Sequence, residues 1–194
     1  MINEGLNNTS FSLTASQRLV AKGAATDGKR PVLGCVHIRK GVIEASDGFG
    51  LVRKKIDYTG DEELLLDAGT VSKLKDQKRL GKVVFAIQEK EVKVLGEEAV
   101  TLVKQPGFFP ETDKLIPQGE PVFRIALGKE VLKKLLSTLK MGEVTLMFSF
   151  YGITSPVKIE VLGDDTFAVI MPRSVRWDDL EGATDVLRRK NGEV

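Results

Sequence analysis

Cys35 and His37 stand two residues apart in the run Val32 to Arg39, which puts a thiol and an imidazole on the same side of an extended strand. Such a pair raises the question of a cysteine nucleophile with a histidine base. Side chains that neighbour each other on one strand rarely bring their reactive atoms together, however, and no third group stands out to orient the imidazole. With one cysteine and one histidine in the chain, an internal disulfide and a zinc site of nitrogen and sulfur ligands are both excluded. Ser46-Asp47-Gly48-Phe49-Gly50 is rich in glycine, but no Lys-Ser or Lys-Thr follows and no helix opens there, so it is not a phosphate-binding loop. Carboxylates are scattered singly, and no acidic metal cluster of the nuclease or nucleotidyltransferase kind can be assembled. The expectation is a protein that is not an enzyme and needs no cofactor or metal.

What remains is the chemistry of charge. The 194 residues carry 29 Lys and Arg against 27 Asp and Glu, a near-neutral balance of +2. Three segments with helical character, 15–30, 67–82 and 128–140, hold thirteen of those cations against four acidic residues, which leaves the rest of the chain net acidic. On the first, Arg18 and Lys22 are polar-face candidates; on the second, Lys75, Lys78, Arg79 and Lys82; on the third, Lys129, Lys133 and Lys140 form one stripe opposite the leucines. Cations sorted in this way suit a polyanion. No aromatic residue interleaves these lysines, which argues against stacking on single-stranded bases.

The elements that carry these residues recur. Thr14 followed by Gln17 has the capping-box spacing and opens a helix; after Pro31 the period becomes two, with strands expected at 32–39, 42–45 and 51–56 and a hairpin at Lys40-Gly41. From Glu63 the order repeats as a short strand 64–66, Asp67 as a cap, a helix with Val71 and Leu74 inward, Gly81 as its stop, and strands 83–87, 91–95 and 99–104. A third copy runs through a strand Phe123–Leu127, a helix 129–140 with Val131, Leu132, Leu135, Leu136 and Leu139 inward, Gly142 as stop, and strands near 143–150, 156–162 and 166–171. Leu66, Leu74 and Gly81 match Leu127, Leu135 and Gly142 at one constant offset. Val94-Leu95-Gly96-Glu97-Glu98 likewise matches Val161-Leu162-Gly163-Asp164-Asp165. A strand-helix-three-strand unit cannot cover its own sheet, so two copies should close one core and the third is left alone. The implied organisation is an N-terminal extension 1–10, a complete domain 11–117, a half domain 118–175 and a tail 176–194, with an α+β fold of repeated β-α-β-β-β units and helices on one face of antiparallel sheets. No run of eighteen apolar residues occurs and Met1–Ser10 is polar, so a cytoplasmic protein with no membrane partner is expected.

Three stretches, in order, resemble the bacterial sliding clamp, the beta subunit of DNA polymerase III. Arg30-Pro31-Val32-Leu33 through Ala45-Ser46-Asp47-Gly48-Phe49 is similar to the family's second domain, and Phe109-Pro110 through Leu115-Ile116-Pro117 to the linker after it. Ser155-Pro156-Val157 with Phe167-Ala168-Val169-Ile170-Met171-Pro172-Arg173 is similar to the family's C-terminal ending, although Met-Pro-Arg is one residue out of step with the usual pattern. The family chain has six repeat units and this one has three, resembling the second domain plus the last half of the third.

The resemblance implies a DNA clamp fold and a replication processivity factor whose helices face the backbone of double-stranded DNA without reading its sequence. It also implies an apolar cleft for short peptides of DNA polymerases and clamp loaders. By position the cleft would comprise Leu33, Ser46, Gly48, Phe49 and Leu51, then Pro117 and Val122, then Val169 and Met171. Phe49 and Gly50 depart from the family's usual histidine and arginine, which alters the rim. Encirclement by a chain with three units would require a homo-oligomer. An alternative is a clamp-derived adaptor or decoy that binds such peptides without encircling DNA; a plain interaction module with an accidental basic face is a third.

Overall fold

The structure, a computed structural model, describes residues 10–95, 100–119, 121–139 and 144–174. The N-terminal extension up to residue 9, the tail 176–194, Lys140, Gly142 and the run Gly96-Glu97-Glu98 lie outside the described residues. Two compact bodies divide between Pro117 and Gln118.

In the first body, alternation of apolar and polar side chains builds strands β1 (Ser10–Thr14), β2 (Cys35–Arg39), β3 (Val42–Ser46), β4 (Leu51–Lys55), β5 (Leu64–Asp67), β6 (Lys82–Ile87), β7 (Glu91–Leu95) and β8 (Val100–Val103). They form two antiparallel sheets, ordered β1-β6-β7-β8 and β4-β3-β2-β5. Each repeat therefore sends its leading strand into the other repeat's sheet: β1 pairs with β6 in the register Leu13 opposite Val83, and β5 pairs with β2 in the register Leu66 opposite Val36. This exchange locks the two copies into one core, in which Phe11, Leu13, Val36, Ile38, Ile43, Leu64, Leu66, Val83 and Phe85 are buried together. The Phe11 ring stacks on Phe85 with centroids 4.7 Å apart and leans on Tyr58 at 5.3 Å.

The helical segments are shorter than the periodicity predicts. Thr14 caps α1 (Ala15–Arg18) as expected, its hydroxyl accepting from the Gln17 N–H while its own N–H donates to the Gln17 side chain at 2.9 Å. After one turn the chain tightens to a 3₁₀ segment, Leu19–Gly23, instead of continuing to residue 30. The Ala25 N–H then donates to the Leu33 carbonyl at 2.8 Å, reversing the chain. Pro31, which cannot donate to a ladder, opens a second 3₁₀ turn, Pro31–Gly34, so β2 begins at Cys35 and not at Val32. Helix α2 (Ala68–Lys73) stops well short of residue 82, because Gln77 bridges back to Lys82 and the Leu80 and Gly81 N–H groups both donate to the Gln77 carbonyl. Gly81, at φ +61°, makes that turn possible. Val71 is buried and Leu74 packs against the core.

The second body contains α3 (Lys129–Thr138), β9 (Leu146–Phe150), β10 (Val157–Val161) and β11 (Phe167–Ile170), with the antiparallel order β11-β10-β9. Val157, Ile159, Val161, Ile170 and Leu139 are its buried core, against which Leu132 and Leu135 pack. Of the five residues expected inward on the helix, Val131 and Leu136 are exposed, since a ten-residue helix lying on three strands covers only the stripe 132, 135, 139. The strand expected at Phe123–Leu127 is in no ladder. Ile125 and Leu127 lie against the core nonetheless.

Candidate nucleic-acid and peptide interfaces

The candidate cations do not share one kind of setting. Lys129 and Lys133 stand one turn apart and exposed on α3, whose periodicity holds them away from the leucine stripe. Lys22 is exposed on the 3₁₀ segment after α1. Lys75, Lys78 and Arg79 are exposed too, but on the loop between α2 and β6 and not along a helix, and Lys82 is half-buried as the first residue of β6. Arg18 is a correction. It is 6% exposed, with its guanidinium donating to the Leu13 carbonyl at 3.0 Å and to Asp76 at 2.6 Å, so it ties α1 to the loop before β6 and cannot reach a phosphate.

Around the turn between β3 and β4, short polar contacts fix the backbone. The Ser46 hydroxyl accepts from the Gly48 N–H at 3.0 Å, and one Asp47 oxygen accepts from the Phe49 and Gly50 N–H groups, both at 2.8 Å. Those two backbone donors hold the Asp47 carboxyl below its ordinary range. The Arg30 guanidinium donates to the Asp47 carbonyl at 2.6 Å and lies so close to Gly48 that a Cβ there would come within 2.2 Å of it. Gly48 also sits at φ +92°, where side chains are strained. The result is a braced turn that holds Phe49 out at 94% exposure, next to buried Ser46 and half-buried Leu51. Leu33 is buried on the 3₁₀ turn beside β2, and Pro117 is exposed. Within the second body, Val122, Val169 and Met171 are exposed apolar side chains at 99%, 48% and 62%.

Sequence reasoning missed the polar centre of the first body. Glu44, fully buried on β3, accepts from Arg53 at 2.7 Å, from the Thr112 hydroxyl at 2.9 Å and from His37 Nδ1 at 2.9 Å. Arg53 donates onward to Thr112 and Asp113, each at 2.6 Å, and Arg39 reaches Asp113 at 2.8 Å. Phe109 stacks on the His37 ring at 4.8 Å. The proline-bounded segment 108–117 is thus pinned to the sheet by its own Phe109, Thr112 and Asp113. Burial alone would raise the Glu44 pKa, but the hydrogen bonds from His37, Thr112 and Arg53, with the Arg53 charge, bring it down to about 2. The alternation of residue types gave one hint, a glutamate between Ile43 and Ala45; its partners come from segments remote in sequence.

The same network bears on Cys35 and His37. The His37 ring nitrogens face the Glu44 and Glu63 carboxylates, at 2.9 and 3.2 Å. The Cys35 thiol is buried, its pKa pushed up by desolvation and by the Asp67 charge, and its sulfur contacts the Pro31 carbonyl at 3.4 Å. A thiol so placed stays protonated and is a weak nucleophile.

No family model and no curated protein matches the chain. Solved structures do. The Helicobacter pylori beta clamp bound to a DNA ligase peptide superposes with a TM-score of 0.63 at 14% identity, over 88% of this chain and 52% of that one. This chain has the sliding-clamp fold. The Bartonella birtlesii sliding clamp, DNA polymerase III subunit beta, bound to griselimycin gives 0.62 at 16% identity, over 90% of this chain and 55% of that one. The DNA polymerase sliding clamp of Bacillus subtilis gives 0.51 at 16% identity, covering 91% and 67%. The chain therefore spans about half to two thirds of the clamps it resembles, and nearly all of its own length takes part. Among the described residues, no helix is long and apolar enough to cross a membrane.

Proposed function

We propose that this chain is a sliding-clamp-like processivity factor. It binds duplex DNA through the backbone, without reading sequence, and tethers a polymerase or other partner by a short peptide. The reading treats residues 11–117 as a complete clamp domain and 118–175 as a half domain, so self-association is the condition for encirclement; it assigns no catalysis and no cofactor. Its main support is the clamp fold over 88% of the chain at a TM-score of 0.63. Cations on the helix-bearing segments give it chemistry. Lys22, Lys75, Lys78, Arg79, Lys129 and Lys133 are all solvent-exposed and available to phosphates. Each cation near a phosphate displaces condensed counterion, so association should weaken as salt rises, with a slope of about 0.9 per contact on logarithmic axes. Replacing Lys129 and Lys133 together by Ala should flatten that slope by about 2 and weaken binding alike on unrelated sequences, as followed by fluorescence anisotropy on a labelled duplex. An unchanged slope removes α3 from the interface, and no binding at low salt removes the DNA reading.

The adaptor reading, in which peptides bind but DNA is not encircled, draws on the braced turn that exposes Phe49. That turn is complete within the first body and needs no ring. Leu33, Ser46, Gly48, Phe49, Leu51, Pro117, Val122, Val169 and Met171 are the proposed peptide contacts. A ligase-type clamp-binding peptide titrated against the wild type and against Phe49→Ala and Met171→Ala tests them; affinity unchanged in both variants rejects the assignment. Peptide binding without DNA association would favour the adaptor.

A further inference from the structure

The first body has no open core because each repeat donates its leading strand to the other's sheet. In the second body, among the described residues, neither half of that strand exchange is made, although the Ala126 carbonyl accepts from the Arg173 N–H at 2.8 Å and the Phe123 ring meets Phe150 at 5.3 Å. Among the described residues the outer edge of β9, which corresponds to the edge of β6 that receives β1, carries no fourth strand, and residues 123–127, which correspond to β1 and β5, are in no ladder. One chain thus holds both the acceptor edge and the donor segment of the same joint.

The side chains report the missing half. Leu146, Phe148 and Phe150 lie directly opposite Val161, Ile159 and Val157 of β10, so they share the core face with three buried residues. Yet Val144 and Leu146 are only half-buried, whereas Val83 and Phe85, their equivalents in the closed body, are fully buried, and beyond them Phe148 and Phe150 are 40% and 43% exposed. On the other flank of β10, Ile170 is 1% exposed, so the opening is confined to the β9 side. That edge is also uncharged: Leu146 to Tyr151 contains no Lys, Arg, Asp or Glu in a chain that is 29% charged. Exposed edge strands ordinarily carry a charge or a proline to block pairing, and this one has neither.

We propose that a second copy of this chain completes the second body, each subunit laying its segment 123–127 antiparallel along β9 of the other. The arrangement is self-complementary and closes under a two-fold axis, as an isologous contact must. The register follows from the first body. Leu13 pairs with Val83 and Phe11 with Phe85; the repeat offset then sets Leu127 opposite Val144, Ala126 opposite Thr145 and Ile125 opposite Leu146 of the partner subunit. Leu146 and Phe148 become covered, and Ile125 and Leu127 stay apolar-packed in a merged core. The proposal deepens the self-association part of the clamp reading, and is independent of whether DNA is bound.

Two single-cysteine variants of the full chain test it, Ala126→Cys and Thr145→Cys, each in a Cys35→Ser background. Under mild oxidation the mixture should yield a disulfide-linked species of twice the chain mass, and neither variant alone should, because like positions are not opposed across the axis. Sedimentation should give a dimer at tens of micromolar, weakened about tenfold or more by Phe148→Ser with the circular dichroism of the fold retained. A monomer at that concentration, no cross-link in the mixture, or equal cross-linking of each variant alone overturns the proposal. DNA anisotropy on the same samples separates the two readings: a cross-linked dimer that does not bind DNA leaves this inference standing and removes the clamp activity.

Discussion

Glu44 and Gly48 are four residues apart and act in different ways. Glu44 is a buried charge made tolerable by a full set of donors, so breaking the set is costly in a way that exposed ion pairs are not. Its folded pKa of about 2 lies below the ordinary value of 4.5, so its contribution is complete above pH 4.5 and lost as pH falls from there through about 2. The shift corresponds to about 3 kcal/mol, and urea midpoints measured between pH 7 and pH 2 should fall over that window. In Glu44→Gln the midpoint should already be lower at pH 7 and should respond less to acid. Gly48 acts through the backbone: its positive φ and the Arg30 guanidinium 2.2 Å from a notional Cβ both oppose a side chain. Gly48→Ala should cost about 1–2 kcal/mol. Part of that should be returned by adding Arg30→Ala, since the clash vanishes and the φ strain remains; a double-mutant cycle in urea reads the coupling.

At the scale of elements, short helices lie on sheets whose cores do most of the work. Helix α3 is the longest helix among the described residues, and only its Leu132, Leu135, Leu139 stripe meets the core. Leu135→Ala should therefore cost about 2 kcal/mol, while Val131→Ala should stay within about 0.5 kcal/mol in the monomeric chain. A larger loss at Val131 would mean that this face is covered. The periodicity of 129–139 revealed the helix but overstated its buried face, because the apolar arc is wider than the stripe the sheet covers and its flanks, Val131 and Leu136, stay exposed. In 15–30 and 67–82 the spacing suggested full helices, but the first tightens to a 3₁₀ segment at Leu19–Gly23 and reverses at Ala25, and the second ends at Lys73 before the Gln77 turn. The capping box at Thr14 was legible because it needs only residues three apart. The strand at 123–127 was legible as a strand-former, but a ladder requires a neighbour, and none of the described strands lies beside it.

Across the whole molecule, the two bodies have separate cores and no strand of one belongs to a sheet of the other among the described residues. Calorimetry should resolve two transitions. If the second body is completed by a second copy, its midpoint should rise with protein concentration while the first body's stays put; two concentration-independent transitions would speak against the two-fold joint. The amino-acid order by itself determined the threefold repeat, most strand positions, the capping box and the likeness to a clamp, because each rests on short-range periodicity or on motifs in linear order. Only the tertiary structure decided that Arg18 is an internal tie and not a DNA contact, that Glu44 gathers His37, Arg53 and Thr112, that Arg30 braces the turn under Phe49, and that leading strands change sheets. Those depend on which distant segments lie within hydrogen-bonding reach, and a partner 58 residues away, as Asp76 is from Arg18, leaves no trace in local pattern.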